Sequence, residues 1–371
     1  MPLPQTMRRL GVCLLVSLLA LAGCGRVQGV SQSIAAAAQN LSAFGSMDAL
    51  IASANAEGAL NLIGLPRDKV NYDRIIDAFK AMYPHIMVNE FSPDAADAEE
   101  IADAAASSGQ ASAPDVFELD LPMARASIAQ FAPYEVSSWA EIPDSLKEPG
   151  GLYYADYGGY MSIGVDTNTY KLPTTLNNLL DSDYQGAVAI GGDPAVSSSA
   201  FGAVGLAAVL SGGTLDDFTP GIDFFTQLNA AGNFITTPAS NDTVADGSTP
   251  VVFDWDYMNT PRINQVATWQ TVILPGTGYS AYRYQAINAQ APHPAAARLW
   301  EEFLYSDPVQ NLYLAAGARP VRLAGMRVAG TADQDAVSAL LLAPQLNVAP
   351  TAQQYSAAVE LLTRSWASAI G

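Results

Sequence analysis

The chain has 371 residues, 50% hydrophobic and 14% charged, with 17 Lys+Arg against 36 Asp+Glu for a net charge of −19. That apolar content excludes a disordered chain, and the acidic balance argues against binding nucleic-acid phosphates. With two Cys and two His, disulfide scaffolds, zinc fingers and multi-histidine metal sites are excluded as well.

The first element is an export label. Arg8 and Arg9 precede an apolar run over 10–21, too short for the roughly 20 residues of a membrane span but right for the core of a signal peptide. The run closes on Leu21-Ala22-Gly23-Cys24, which resembles the lipobox of bacterial lipoproteins. That resemblance implies a signal peptide over 1–23, lipidation of Cys24 and an exported, membrane-anchored product. Cleavage would remove two cations and no acid, deepening the charge from −19 to −21. The exported body would carry no free thiol. Residues 24–55, rich in Ala, Ser, Gln and Asn, read as a flexible tether.

The body alternates strands and helices. Ala59 to Ile63 reads as a strand, followed by a loop through Arg67-Asp68 and a helix carrying Ile75, Ile76, Phe79 and Met82 at helical spacing. A strand over 86–91, an acidic helix over 94–108 and a strand over 115–119 follow. The second half continues with strands at 187–190, 251–253, 271–274 and 284–288. Helices are expected at 199–210, 218–231, 293–305 and 308–316, with two more closing the chain. The alternation indicates an α/β fold with a largely parallel sheet.

Several blocks together resemble the extracellular solute-binding proteins that serve ABC importers for ferric iron, polyamines and aminophosphonates. They are Leu62-Ile63-Gly64-Leu65-Pro66, Phe79-Lys80-Ala81-Met82-Tyr83-Pro84, Asp115-Val116-Phe117, Tyr157-Gly158-Gly159-Tyr160, Gly191-Gly192-Asp193-Pro194 and Thr249 to Tyr257. The longest runs from Ala291 to Ser306, and Ala318-Arg319-Pro320-Val321-Arg322 completes the pattern. The resemblance spans residues 56–325. It implies a type II periplasmic-binding-protein-like fold, two lobes joined by two crossover strands around a cleft. Lobe 1 would comprise 56–156 and 278–325, lobe 2 157–277 and 326–371. Such a chain is a monomer without cofactor or catalytic residues, and its partners are a small-molecule ligand and the permease subunits.

Each candidate ligand contact also has a plainer role. Ser197, Ser198 and Ser199 open an apolar helix, whose free N–H groups suit an anion; plain N-capping is the alternative. Asp254, Trp255, Asp256 and Tyr257 end a buried strand, where two acids beside a tryptophan suit an amine through ion pairing and cation–π contact. The alternative there is a core aromatic between solvated acids. Arg67, Asp68, Asn71 and Tyr72 occupy the loop and helix start after the first strand, and Asp120 follows the third. Tyr157 and Tyr160 flank Gly158-Gly159, expected to supply hinge dihedrals. Tyr282, Tyr284 and Gln285 are weaker candidates, and His85 and His293, beside prolines, read as structural.

Ferric-binding members use adjacent tyrosines in the second lobe. Here Tyr257 precedes Met258 and Asn259, which demotes iron and leaves no metal assignment. The leading ligand class is a small polar amine of polyamine type, with an aminoalkylphosphonate or ferric iron as alternatives. Outside this class stand a secreted carboxylate-dependent glycoside hydrolase and a purely structural envelope lipoprotein.

Overall fold

The computed structural model describes residues 28–371; the expected signal peptide and the expected lipidation site Cys24 lie outside the described residues. Its strands are β1 (Ala59–Ile63), β2 (Met87–Phe91), β3 (Val116–Asp120), β4 (Phe131–Ala132), β5 (Tyr154–Asp166), β6 (Val188–Ile190), β7 (Val251–Trp255), β8 (Trp269–Val272), β9 (Thr277–Asn288), β10 (Arg319–Pro320) and β11 (Leu346–Val348).

In the first lobe β1 and β2 run parallel, and β3 and β4 lie antiparallel to β9. Asp115 joins β1 to β3: its N–H donates to Asn61 O at 3.0 Å and its carboxylate accepts the Asn61 N–H at 2.7 Å. The helix Tyr72–Met82 buries Ile75, Ile76 and Phe79, and Phe79 meets Trp300 and Phe303 edge-on, each at 5.2 Å. Met82 completes the sequence pattern but stays outside, 58% exposed. In the second lobe β6, β7, β5 and β8 form the sheet. The helix Ser198–Leu210 is buried on every side from Ala200 to Ala208, as its charge-free sequence requires.

β5 and β9 connect the lobes. β5 pairs antiparallel with β9 from Tyr154↔Gln285 to Tyr160↔Ser280, then takes β7 as its neighbour from Met161↔Trp255 onward. Because β9 returns across the junction that β5 leaves by, the two must run in opposite directions. Their neighbours inherit that polarity, so antiparallel pairings outnumber parallel ones and the sheet is mixed rather than largely parallel.

Gly158 and Gly159 sit at the crossing for a reason other than the expected one. Neither has a positive φ. A Cβ on Gly158 would lie 2.5 Å from Ala281 O, and one on Gly159 would lie 2.2 Å from Asp256 Oδ1 and 2.6 Å from the Tyr257 ring. Close approach of strands and side chains, not dihedral freedom, demands glycine here. Gly159→Ala should therefore lower stability by about 3 kcal/mol, at the upper end for overpacking, read as a fall in the urea midpoint with unchanged m-value. A midpoint equal to that of the native chain would refute the tight crossing.

Two segments depart from the sequence reading. Residues 31–57 do not form a loose tether: helices Gln32–Ala37 and Met47–Glu57 bury Ala35, Leu50 and Ala54 against the first lobe. Arg298, 1% exposed, donates to the carbonyls of Ala36 and Ala38, and Val30 N–H already bonds Ser53 Oγ at 2.8 Å. Toward the other end, Met326 and Ala332 bury with Leu314, so 323–340 belongs with the first lobe. The chain then returns to the second lobe, where β11 pairs with the start of β9 and the helix Ala352–Ile370 packs on Thr219–Ala230 while touching Leu121–Ala126 of the first lobe. Among the described residues no helix is long and apolar enough to cross a membrane.

Candidate functional site

A charged cluster forms where β3 and β9 lie side by side. Register places Asp120 opposite Arg283. The Arg283 guanidinium bonds Asp120 at 2.8 Å, Asp97 at 3.0 Å and Glu118 at 3.1 Å. Asp97 also accepts the Asp120 N–H at 2.6 Å, locking the helix Asp97–Ala106 onto the strand end. Behind them Glu118 accepts the Tyr157 hydroxyl at 2.9 Å, and Gln285 donates to Asp156 at 2.8 Å. Glu100, fully buried, accepts the Glu118 N–H at 3.3 Å with one oxygen and has no partner for the other.

One arginine thus serves three carboxylates, with a fourth behind. Burial pushes Asp120 up to about 6 against the attraction of Arg283. Burial likewise raises Glu118 and lifts Glu100 well above the usual carboxylate range.

The second lobe supplies the opposite wall. The three serines divide their labour: Ser197 caps its helix, accepting from Ala200 N–H at 3.4 Å, Ser199 lies against Gly191, and Ser198 lies close enough to the Asp120 carboxylate to draw its pKa down against burial. Trp255 stacks on Tyr257 at 6.4 Å and on Tyr279 at 6.1 Å, while Tyr355 of the last helix lies on Phe201 at 4.4 Å. Gly202 and Gly205 make room for these rings, since a Cβ there would press into Trp255 and Tyr279. All three phenols are raised by burial and further by the Asp120 charge, Tyr355 to about 12.

The structure commits other candidates to internal partners. Asp254 pairs with Arg262 at 2.9 Å, and Asp256 accepts the N–H groups of Tyr160 and Tyr257 while pairing with Arg319. The acids flanking Trp255 are therefore neutralised within the protein rather than held out to an amine. Arg319 in turn lies over the Tyr160 ring at 4.6 Å. Arg67 is bound to Glu90 at 2.7 Å and Asp77 at 3.1 Å on the side of its own lobe. Tyr72 is buried edge-on between Tyr157 and Tyr313. Tyr157, 3% exposed, stands behind the cluster rather than in a cleft wall. Asp68 and Asn71 do line an interlobe cavity of about 360 Å³, whose far side includes Tyr257. His293 binds Asp115 at 2.9 Å, away from the cluster, in a structural contact.

Sequence reading did not single out Arg283, Asp97, Glu118, Tyr279 or Tyr355. Arg283 had a signal: it is the one charge in the strand Thr277–Asn288, flanked by Tyr282 and Tyr284.

Comparison with known proteins agrees with this architecture. Residues 114–340 match the family of bacterial extracellular solute-binding proteins, and the chain belongs to that family. Its fold is that of the type II binding proteins. The fructose-6-phosphate-bound periplasmic binding protein AfuA from Actinobacillus pleuropneumoniae is similar at 17% identity, over 84% of this chain and 98% of that one, with a TM-score of 0.64. Iron-bound HitA from Pseudomonas aeruginosa is similar at 19% identity, over 82% and 98%, with a TM-score of 0.62. The spermidine/putrescine protein PotD from Streptococcus pneumoniae follows at 10% identity, over 84% and 99%, with a TM-score of 0.62. No curated protein matches the chain.

Proposed function

We propose that this protein is the lipid-anchored, ligand-capturing subunit of an ABC importer and that its solute carries a small ammonium group. The observation behind the ligand class is the excess of carboxylate over cation at the lobe junction. Asp97, Glu118 and Asp120 share Arg283 as their one cation, and Asp120 lies near the phenols of Tyr257, Tyr279 and Tyr355. An ammonium entering between Asp120 and the rings gains ion pairing and cation–π contact and relieves the crowding of like charge. Capture then requires no chemistry. The lobes close about β5 and β9, the ligand is buried, and the closed form docks on the permease, with Cys24 holding the protein at the membrane.

The test is native mass spectrometry of residues 25–371 from rich medium, followed by calorimetric titration with 1,4-diaminobutane and ethanolamine. A co-purified amine, or saturable heat with either probe, is the expected result. Hydrolysis of a sugar substrate by the purified protein, or no response to any amine, would overturn this reading.

A further inference from the structure

We propose that Asp156 keeps a proton at the crossing of the two lobes and is a positioning residue for capture, holding strand β5 in the register from which the lobes close. The strand is irregular at this point. β5 pairs with β9 at Ala155↔Tyr284 and again at Tyr157↔Arg283, so no β9 residue stands opposite Asp156. A bulge of this kind re-aims the side chain it carries. Here the Asp156 carboxyl ends fully buried.

Its contacts come from three elements. The Tyr157 N–H of β5 donates to it at 2.8 Å, the Gln285 amide of β9 at 2.8 Å, and the Tyr313 hydroxyl of the helix Asp307–Ala315 at 3.1 Å. The Asp156 carbonyl accepts the Val321 N–H at 2.9 Å, just past β10. None of these donors is a cation, and the arginines around the junction are engaged elsewhere. Arg283 serves Asp97, Glu118 and Asp120, Arg319 serves Asp256, and Arg322 serves Glu141 and Asp307. Arg298 donates to backbone carbonyls.

The charges that do face Asp156 are negative. Glu118 of β3 and Glu301 of the helix Pro294–Leu304 are both buried and both feel its charge. The Gln285 amide ties Asp156 to Glu118, which it reaches at 3.5 Å. Tyr157, Tyr305 and Tyr313 are the other titratable groups alongside, and burial keeps all three phenols protonated. Gln285 Oε1 and both Glu301 oxygens are buried with no donor. A pocket short of donors and of cations favours the neutral acid. Burial and the Glu118 charge accordingly hold Asp156 well above the usual carboxylate range.

The place of this acid in the fold connects its proton to capture. β5 leaves β9 and takes β7 as its neighbour from Met161, so movement between the lobes bends the strand close to the bulge. When Asp156 gives its proton to solvent, an uncompensated charge appears beside Glu118, and the repulsion works against the β5–β9 register. The closed form therefore retains the proton more firmly than the open one, and closure weakens as pH rises.

This inference rests on two-lobed capture but not on the amine, because its first two readouts need no ligand. The test uses residues 25–371, native and Asp156→Asn, the amide being a neutral side chain of nearly the same shape. Infrared difference spectra of native minus variant at pH 7 should show the carbonyl stretch of a buried carboxylic acid. Small-angle scattering should show the native chain expanding between pH 7 and pH 9.5 while Asp156→Asn stays compact. In titrations with 1,4-diaminobutane, the native chain should lose at least threefold in affinity over that range and the variant less. Failure of the amine to bind defeats the amine reading alone and leaves the spectra and scattering to decide. Should the variant not fold, the acid band and the expansion of the native chain must still share one pH midpoint. No acid band, no expansion of the native chain, an expansion that the variant repeats, or separate midpoints would each overturn the proposal.

Discussion

Arg283→Met should be the most damaging single substitution near the candidate site, lowering stability at pH 7.5 by about 3–5 kcal/mol, the cost of removing one side of a buried ion pair. The reason is arithmetic of charge: Asp97, Glu118 and Asp120 would face one another without a cation, and Glu100 already lies behind them. The pH dependence distinguishes this from a simple packing loss. Without Arg283, Glu118 and Asp120 hold their protons still more firmly, so their folded-state pKa values rise further above those of the unfolded chain. The deficit is then small in acid and grows as pH increases through the folded values. Calorimetric melting at pH 5 and pH 7.5 checks this, with the larger gap from the native protein expected at pH 7.5. Equal gaps at the two pH values would show that Arg283 matters for shape rather than charge. Arg283→Lys should fall between, because a single ammonium cannot contact three carboxylates as a guanidinium does.

Asp120→Asn should act in opposite directions on stability and on binding. The folded pKa of Asp120 is raised from 3.8 to about 6, chiefly by burial. A raised pKa means that the contribution to stability is fully present below the unfolded value and is lost as pH climbs through the folded one. The shift corresponds to about 3 kcal/mol at most by pH 7.5, and the amide keeps an acceptor for Arg283. The expected result is a variant melting several degrees higher than the native chain at pH 7.5, with little difference at pH 4. Binding of 1,4-diaminobutane should fall at least tenfold in the variant. In the native chain, amine affinity should weaken about tenfold per unit as pH drops below about 6, where the carboxylate takes up a proton. A variant that melts lower at pH 7.5 yet binds the amine normally would remove Asp120 from both roles.

What the sequence disclosed follows a physical rule. β1, β3, β7 and the helix Ser198–Leu210 were legible because each is a short apolar run with clear boundaries, and buried elements leave that trace. The start of β9 was not, since Gly278, Ser280 and Arg283 interrupt its apolar run; a strand that spends half its length between lobes need not be apolar. The 31–57 segment misled because Ala- and Ser-rich composition serves a loose linker and a closely packed helix equally. Ala35, Ala38 and Ala54 are buried through small size, which composition alone does not distinguish. Asp120 stood out at the end of an apolar strand. The pairing of Asp254 with Arg262 and of Asp256 with Arg319 did not, because which acid finds which base is decided by tertiary approach. Tyr355 was placed in the closing helix, but nothing local shows that the helix comes back to the cleft.

With the proposed anchor at Cys24, the early packing of the chain would also govern where the protein works. Val30 is already bonded to Ser53, six residues after Cys24. Fully extended, six residues reach about 20 Å, which is shorter than the body itself. With Cys24 as the anchor, the protein could not roam the space outside the membrane but would patrol a thin layer over it, first lobe nearest the lipid. Meeting the permease then becomes a search in two dimensions. The local concentration of each partner is set by crowding on the surface, so a weak docking contact would suffice for frequent delivery.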